Sequence, residues 1–276
     1  MGTKDVLRQL RLLPDYIRLS FLRVAENKIQ IFGAFFSTFV NLAMYVLFWG
    51  VITYQIPILT GYGWVVWGQG ELTFLIGMTE VAWGFGAFFW MGIWETHWYI
   101  TEIGIETFQI RPAASIYQIL ATSFWAGGLV QVGVGGVMLA LSVLAFGLVV
   151  TPFSIVFGVV ALLLGQAALY LLWACLCCLA FWIGRNEGLL EISDALEYNF
   201  ARMPIDVMPV GVQYFLLFVF PVIFISTVPT MIMLNLLPLS PALIYLGIAW
   251  VLVILWLLVL RVVWSRGLKR YQPVGG

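Results

Sequence analysis

The sequence predicts an all-α, polytopic membrane protein with six transmembrane helices, and three observations support this fold class. Of the 276 residues, 63% are hydrophobic and only 9% are charged, whereas soluble domains are about 45–50% apolar and about 25% charged. Several apolar segments reach the length of about 20 residues that a helix needs to cross the hydrocarbon core. The basic residues lie only in segments that flank alternate crossings, as is usual for polytopic proteins.

The first element, residues 1–30, is predicted to be an amphipathic helix in the cytoplasmic membrane interface. Its apolar stripe consists of Val6, Leu10, Leu13, Ile17, Phe21 and Val24, and its basic face consists of Lys4, Arg8, Arg11 and Arg18. This spacing is helical, and the basic side chains can contact anionic lipid headgroups. The pattern supports two roles equally, an anchor for the topology or a lever that touches a partner.

The membrane domain is predicted to cover residues 31–264, followed by a cytoplasmic tail at 265–276. The six spans are expected near 31–54, 72–94, 119–149, 153–183, 211–234 and 242–264. The last two come from one charge-free stretch, Val207 to Leu260, which is long enough for two crossings. We expect the break between them at Pro229, Pro238 and Pro241, since proline removes a backbone donor and clashes with the preceding turn.

The orientation follows from the distribution of charge. With both termini in the cytoplasm, this span assignment places all 13 basic residues on the inside, as the positive-inside rule prefers. The longest outside connection, about 55–71, carries Tyr62, Trp64 and Trp67, which suit an aromatic belt at headgroup level. We therefore expect no folded external domain.

Two connections on the cytoplasmic side are predicted to contain short acidic helices. If 95–110 is helical, its three carboxylates share a face, and Pro112 ends the helix at Arg111; the carboxylates are Glu95, Glu102 and Glu106. In 187–200 one stripe is apolar, Leu189, Ile192, Leu196 and Phe200, and another is acidic, Glu187, Glu191 and Asp194. These acidic faces are either solvated or paired with the basic N-terminal helix, or they dock a soluble partner.

Glu80 is the ionisable residue that the sequence places inside a span. A charge at the bilayer centre costs about 2.5–3.5 kcal/mol on insertion scales, so such a residue faces the bundle interior or a polar cavity. It either lines a substrate path or forms a buried helix contact, and Gln131, Gln166, Gln213 and Asn41 are candidates to share that interior. Gly128, Gly135 and Ser142 repeat every seven residues, which predicts close helix packing.

Catalysis by this chain is not expected. The sequence contains neither an HExxH zinc motif nor a GxxxxGK[ST] phosphate-binding loop, so we expect no cofactor in this chain and any energy source on another subunit. Cys175, Cys177 and Cys178 fall within one apolar run and are expected to be small buried hydrophobes. We expect membrane lipid, and no nucleic acid, as a partner.

Three segments carry a resemblance to a known family: ETFQIRP (106–112), RMPIDVMP (202–209) and FPVIFISTVPTMIML (220–234). In their order, topology and spacing, they resemble the bacterial six-span permeases of the type-2 ATP-binding-cassette (ABC) transporter superfamily. The similarity extends from the first span to the sixth. Three positions depart from the family pattern. Glu106 stands where Asp is expected, Gln109 interrupts an apolar triplet, and Gly104 is displaced by about one residue.

The resemblance implies a permease of the bacterial plasma membrane that forms half of the path of an ATP-driven exporter. It would pair with a second permease, the same chain or a sister chain, and bind two cytoplasmic ATPase subunits that carry ATP and Mg²⁺. Coupling to those subunits is implied for Glu102, Glu106, Arg111 and Pro112. A short outer re-entrant region is implied around Pro221, Pro229 and Pro241.

Two other functions remain open from the residues. A secondary transporter would show internal repeats and paired ionisable groups within the membrane, whereas the sequence places one carboxylate there and shows no convincing repeat. A membrane scaffold without transport activity is the third possibility. The substrate stays open too, because an apolar, aromatic path suits lipids, glycolipids, hydrophobic drugs and peptides alike.

Overall fold

The computed structural model describes residues 28–61, 65–109, 115, 118–119 and 124–272. The first elements are α1 (Lys28–Gln55), β1 (Leu59–Thr60), β2 (Val66–Trp67), α2 (Gln69–Trp98) with a π-helical extension (Tyr99–Ile103), and α3 (Glu106–Gln109). Then follow α4 (Gly128–Phe146), α5 (Pro152–Cys178), α6 (Ala180–Ile183), α7 (Glu187–Phe200), α8 (Val210–Tyr214) with a π-helical extension (Phe215–Val219), α9 (Thr227–Met233) and α10 (Leu239–Arg270). Short 3₁₀ turns occur at Ile205–Val207 and Val222–Phe224.

Within the described residues, five helices are long and apolar enough to cross a membrane: Ile31–Gln55, Gln69–Ile103, Gly128–Phe146, Pro152–Ile183 and Leu239–Arg270. A further pair, Val210–Val219 and Val222–Met233, passes the same test together but is bent by 80°. The all-α, polytopic fold class is therefore confirmed. The predicted N-terminal interface helix lies almost entirely outside the described residues.

The helices run between two ends of a bundle. At one end lie the antiparallel pair β1–β2, in which Leu59 faces Trp67, and the turn at 147–151; we call it the hairpin end. At the other end lie Arg185 and the C-terminus of α10 at Arg270; we call it the basic end. Trp67 is fully buried, so the expectation that it joins a headgroup belt is wrong, while Tyr62 and Trp64 lie outside the described residues.

The contact between α2 and α4 depends on glycine in both helices. A Cβ atom at Gly135 would lie 2.8 Å from the carbonyl oxygen of Gly77, and Gly84 and Gly128 oppose each other in the same way. Gly70, Gly77 and Gly84 therefore repeat every seven residues on α2, opposite the repeat in α4. The close packing predicted at Gly128 and Gly135 is confirmed, because the two backbones touch where side chains are absent.

Residues 187–207 run from the basic end to the hairpin end. Near the start, Asn186 Nδ2 donates to the Leu176 carbonyl at 2.7 Å. Midway, Thr79 Oγ1 donates to the Ala201 carbonyl at 2.7 Å. At the far end, Trp67 Nε1 donates to the Asp206 carboxylate at 2.9 Å. The segment thus crosses the length of the bundle, and the expectation that 187–200 lies in a cytoplasmic connection is wrong.

Residues 210–233 form a re-entrant hairpin instead of the fifth span expected near 211–234. The hairpin starts at the hairpin end, where Gln213 Nε2 donates to the Asp206 carbonyl at 2.9 Å. It turns at mid-depth, where Phe224 packs on Gly165. It returns to the hairpin end, where Ser154 Oγ donates to the Met233 carbonyl at 2.8 Å. The charge-free stretch from Val207 to Leu260 is long enough for two membrane crossings. Its first half bends back, however, and only α10 crosses.

The prolines explain where this hairpin bends. Pro221 stands at the 80° break between the two arms, where a missing donor and a fixed φ prevent a continuous helix. Pro229 and Pro241 lie in the first turns of α9 and α10, where no intrahelical donor is lost. The bend within 210–233 is therefore at Pro221. The expected break before the last span lies between α9 and α10, and Pro238 stands in it, directly before α10.

Candidate functional site

A charge pair is buried in the middle of the bundle. Arg202 Nη2 lies 2.8 Å from Glu80 Oε1, and the two side chains are 2% and 3% exposed. The guanidinium also donates to the Tyr198 carbonyl at 2.8 Å and stacks over the Tyr198 ring at 3.9 Å from the ring centroid. The expectation that Arg202 lies with the other basic residues on the inside is wrong, because the crossing of 187–207 carries it into the bundle.

The surroundings of the pair account for its burial. The guanidinium also lies over the rings of Tyr45 and Trp83, at 5.1 and 5.4 Å from the centroids. Asn41 donates to the Tyr198 hydroxyl on the same side. An isolated charge at this depth is costly, and an opposite charge with several ring faces lowers that cost. Glu80 therefore occupies the interior, as predicted. It forms a buried contact between α2 and the crossing segment 187–207, which we call the α7 segment.

A pocket of about 390 Å³ lies beside this pair, between α2, α4, α5 and α7. Its walls include five aromatic residues, Trp83, Trp90, Trp94, Trp125 and Tyr170. Two carboxylates of α7, Asp194 and Glu197, reach the same space. The pocket therefore combines ring faces and acidic groups in an otherwise apolar bundle.

The polar groups of the pocket are only partly satisfied. Glu197 is 3% exposed, and its Oε2 accepts a hydrogen bond from Trp173 Nε1 at 2.8 Å. The Tyr170 ring stacks on Trp90 with 5.9 Å between centroids. Gln131 Oε1 is buried and has no hydrogen-bond partner among the described residues. Gln131 was a predicted path residue, and it lines this pocket.

The other amides predicted for the interior lie elsewhere. Gln213 Nε2 donates to the carbonyls of Asp206 and Met208 at 2.9 and 2.8 Å, at the hairpin end. Gln166 Nε2 donates to the Ala82 carbonyl at 3.1 Å. Gln213 therefore holds the start of the re-entrant hairpin, apart from both the charge pair and the pocket.

A second candidate site is the connection after α2 at the basic end. The expected continuous helix over 95–110 is broken, because Gly104 has φ +96°, a conformation that favours glycine. Glu102 lies before the break and pairs with Arg185 at 3.0 Å, both side chains being solvent-exposed. Glu106 lies after it, in α3. The carboxylates of Glu102 and Glu106 therefore do not share one helix face.

Tyr271 fastens α3 to the end of α10. The backbone N–H of Ile105 donates to the Tyr271 hydroxyl at 2.9 Å, and that hydroxyl donates to the Glu106 carboxylate. The connection 99–109 is thus attached to α10 through Tyr271 and to the end of α6 through Arg185. Arg111 and Pro112, the other predicted coupling residues, lie outside the described residues.

Comparison with known proteins identifies the family. The family model described as ABC-2 family transporter protein matches residues 39–275. The chain belongs to the ABC-2 transporter family. Neither a curated protein nor a solved structure matches it. As an ABC-2 family member it is a multi-pass membrane permease component, a class that has no ATPase site of its own and generally works with ATPase subunits.

Sequence reasoning missed three interior residues of this permease, Asp194, Glu197 and Arg202. The acidic residues of α7 lowered its hydropathy, so the segment was read as a surface helix. Its length was a usable signal, because 187–207 is long enough to cross a bilayer. The second signal was Glu80, since a carboxylate inside a span requires a partner, and Arg202 is the basic residue within that crossing.

Proposed function

We propose that the chain is the permease subunit of an ATP-driven exporter in the bacterial plasma membrane. It would form half of the translocation path with a second permease, the same or a sister chain. Two cytoplasmic ATPase subunits would carry ATP and Mg²⁺. Membership of the ABC-2 family supports the ATPase partnership, and the positive-inside rule favours a cytoplasmic position for the basic end and both termini.

The observation that carries this proposal is the attachment of the 99–109 connection to two membrane helices. Glu102 pairs with Arg185 beyond α6, and Glu106 accepts from Tyr271 at the end of α10. A partner that pushes on this connection would move α2, α6 and α10 together, because packed helices behave as rigid elements. We assign the coupling role to this connection, with Arg111 and Pro112 as its continuation in the sequence.

α2 provides the route from the connection to the interior. The helix and its π-helical extension run from Gln69 to Ile103, and along the way they carry Glu80 and three tryptophans of the pocket. A displacement at Glu102 would therefore reach both the charge pair and the pocket walls without an intervening loop. This arrangement supports a coupling of ATP binding to the shape of the pocket.

The hairpin end favours export as the direction. The re-entrant hairpin at 210–233 fills that end, with its bend against Gly165 of α5. The pocket lies deeper, toward the basic end. In our proposal a substrate enters the pocket from the membrane or the cytoplasm, and movement of Pro221, Pro229 and their neighbours opens the hairpin end.

The experiment reconstitutes the purified chain with candidate ATPase subunits and measures assembly and ATP turnover. Glu102→Lys combined with Glu106→Lys reverses the charge that a basic partner surface would contact, and like charges at an interface cost several kcal/mol. We expect assembly to weaken at least about tenfold, which corresponds to about 1.4 kcal/mol. Undiminished assembly and turnover would remove the coupling assignment.

Two control variants separate docking from transmission. Glu187→Lys reverses an exposed carboxylate at the same end but outside the connection, and it should leave assembly unchanged. Tyr271→Phe removes the bridging hydroxyl without changing charge, so assembly should persist while transport per ATP falls. Equal loss of assembly in Glu187→Lys and in the double variant would indicate a nonspecific charge effect.

One observation favours a second candidate, a secondary transporter. The charge pair and the pocket bring together Glu80, Asp194, Glu197 and Arg202, whereas Glu80 alone was expected inside a span. Ionisable groups within the membrane mark ion pathways in secondary transporters. Transport into or out of liposomes driven by a proton gradient, without any ATPase subunit, would favour this candidate. Transport that requires ATP and the ATPase subunits would eliminate it.

A further inference from the structure

We propose that the pocket between α2, α4, α5 and α7 binds an apolar cation, such as an aromatic phosphonium or an alkylammonium ion. That such a cation is also transported rests on the proposed function, whereas its binding to the pocket does not. The inference combines the charge balance of the interior, the ring faces of the walls and the unsatisfied polar atoms that face the pocket.

The charge balance comes first. Around the pocket and the adjoining charge pair, three carboxylates, Glu80, Asp194 and Glu197, stand against the guanidinium of Arg202. That guanidinium is held by Glu80 at 2.8 Å, and neither Asp194 nor Glu197 has a basic group within 4.0 Å in the described part of the chain. A bound cation would supply the charge that these two carboxylates lack, and an anion would meet repulsion.

The walls favour the same charge. Trp83, Trp90, Trp94 and Trp125 line the pocket, and the face of an indole ring attracts a cation through its quadrupole. The attraction is greatest where water is excluded. Arg202 already shows this preference next to the pocket, because it stacks over Trp83 and Tyr198. An apolar cation would combine ring contacts with burial of its own apolar surface.

Unsatisfied polar groups supply an independent observation. Tyr170 is only 7% exposed and lines the pocket, yet its hydroxyl makes no hydrogen bond to the described part of the chain. That hydroxyl lies directly over Gly86, where a Cβ atom would collide with it. Gln131 Oε1 is buried and also lacks a partner there. Gln131 Oε1 can only accept, and the Tyr170 hydroxyl can accept as well as donate, so both oxygens suit an electropositive occupant. Trp83 Nε1 and Trp90 Nε1 of the same walls are buried without a described partner and suit an acceptor, so the two carboxylates decide the sign of the charge.

The size suits a small organic molecule. The volume of about 390 Å³ falls within the range of about 300–1,000 Å³ that is usual for ligand pockets. The cation could be a free molecule or the ammonium headgroup of a membrane lipid. These two sources share one chemistry, and the lipid composition of the test membrane distinguishes them.

The first measurement compares two ions of the same shape and opposite charge. The full chain is placed in nanodiscs of phosphatidylglycerol, and binding of radiolabelled tetraphenylphosphonium and tetraphenylborate is measured by flow dialysis, with empty nanodiscs subtracted. We expect saturable binding of the phosphonium ion and no saturable binding of the borate. Equal binding of both ions, or preference for the borate, would overturn the proposal without any variant.

The second measurement locates the site. Asp194→Asn combined with Glu197→Gln removes both charges and keeps an oxygen for Trp173 Nε1, and we expect phosphonium affinity to fall at least about tenfold. Glu191→Gln, at an exposed position of the same helix, should change affinity less than about twofold. Unchanged affinity in a folded double variant would overturn the assignment; if that variant does not fold, the comparison of the two ions still decides.

Two further arms separate the sources and the functions. Displacement of the phosphonium ion when phosphatidylethanolamine is added would assign the pocket to a lipid headgroup, and its absence would assign it to a free cation. Charge-selective binding without ATP-dependent transport would keep the cation site and reject the exporter. ATP-dependent transport without charge-selective binding would reject the cation site alone.

Discussion

Arg202 and Glu80 join the α7 segment to α2 through a contact of 2.8 Å between Nη2 and Oε1. The carbonyl of Arg202 also accepts a hydrogen bond from Trp49 Nε1 of α1 at 3.2 Å. One residue therefore links three elements that are distant in the sequence. Because both charged groups are almost fully buried, the two partners depend on each other much more than an exposed pair would.

The first prediction concerns this charge pair. Glu80→Gln leaves the Arg202 guanidinium without its carboxylate in a buried site, so we expect the free energy of unfolding to fall by about 3–5 kcal/mol. Chemical denaturation in detergent measures it. Glu102→Gln, at the exposed pair with Arg185, should cost less than about 1 kcal/mol. The double variant Glu80→Met with Arg202→Met removes both charges, so we expect it to be more stable than Glu80→Gln. A double variant that is no more stable would contradict this explanation.

The second prediction concerns the glycine contact of α2 and α4. Gly135→Ala places a methyl group 2.8 Å from the Gly77 carbonyl oxygen, and overpacking of this kind costs about 1–3 kcal/mol. Gly133→Ala is the matched control, because a Cβ atom there meets nothing within 4 Å and alanine favours a helix by about 1 kcal/mol. We therefore expect Gly135→Ala to lower the melting temperature and Gly133→Ala to raise it. Equal shifts in the two variants would contradict the close contact at Gly135.

The third prediction concerns the hairpin end. Trp67 Nε1 donates to both oxygens of Asp206 at 2.9 and 3.0 Å. Asp206→Ala leaves the indole N–H buried without a partner, which costs about 1–3 kcal/mol. In a double-mutant cycle with Trp67→Phe, the combined cost should be smaller than the sum of the two single costs. Strict additivity would mean that this hydrogen bond does not stabilise the hairpin end.

The fourth prediction concerns the bend of the re-entrant hairpin. Gly165→Ala brings a Cβ atom within 2.6 Å of the Phe224 carbonyl carbon, so the backbone of the bend must shift. In Gly158→Ala the three atoms nearest to the new Cβ belong to the Met233 side chain, which is flexible, and not to the backbone. We expect Gly165→Ala to lower the melting temperature and to impair transport, whereas Gly158→Ala does neither to the same degree. A larger loss of melting temperature and transport in Gly158→Ala than in Gly165→Ala would contradict the position of the bend against Gly165.

Much of the fold could be predicted from local signals. Hydropathy located the helices at 31–55 and 152–183 to within one residue, because a crossing needs a long apolar segment. The helices at 69–103 and 239–270 extend beyond the predicted spans, 72–94 and 242–264, by up to nine residues. The seven-residue repeat at Gly128 and Gly135 indicated a close contact, since small residues permit it. Glu80 was placed in the interior for the same kind of local reason, the cost of exposing a charge to lipid.

The site could not be predicted in the same way. Asp194 and Glu197 resemble surface residues in a short amphipathic helix, and only the partners that surround them explain their position. Glu197 is held by Trp173, and both acids line the same pocket as the tryptophans of α2 and Tyr170 of α5. These contacts join residues far apart in the chain, so no periodicity within 187–200 reveals them.

The sequence by itself determined that this is an all-α membrane protein, because its long apolar segments require several membrane-crossing helices. The ABC-2 type was indicated by the resemblance of three short segments to that family. Only the tertiary structure decided which segments cross. Residues 187–207 traverse the bundle because Glu80 and the aromatic rings compensate their charges, while 210–233 turns back at Pro221 although it is more apolar. Hydropathy measures the transfer of one segment into lipid, whereas the outcome here depends on the partners that each segment finds.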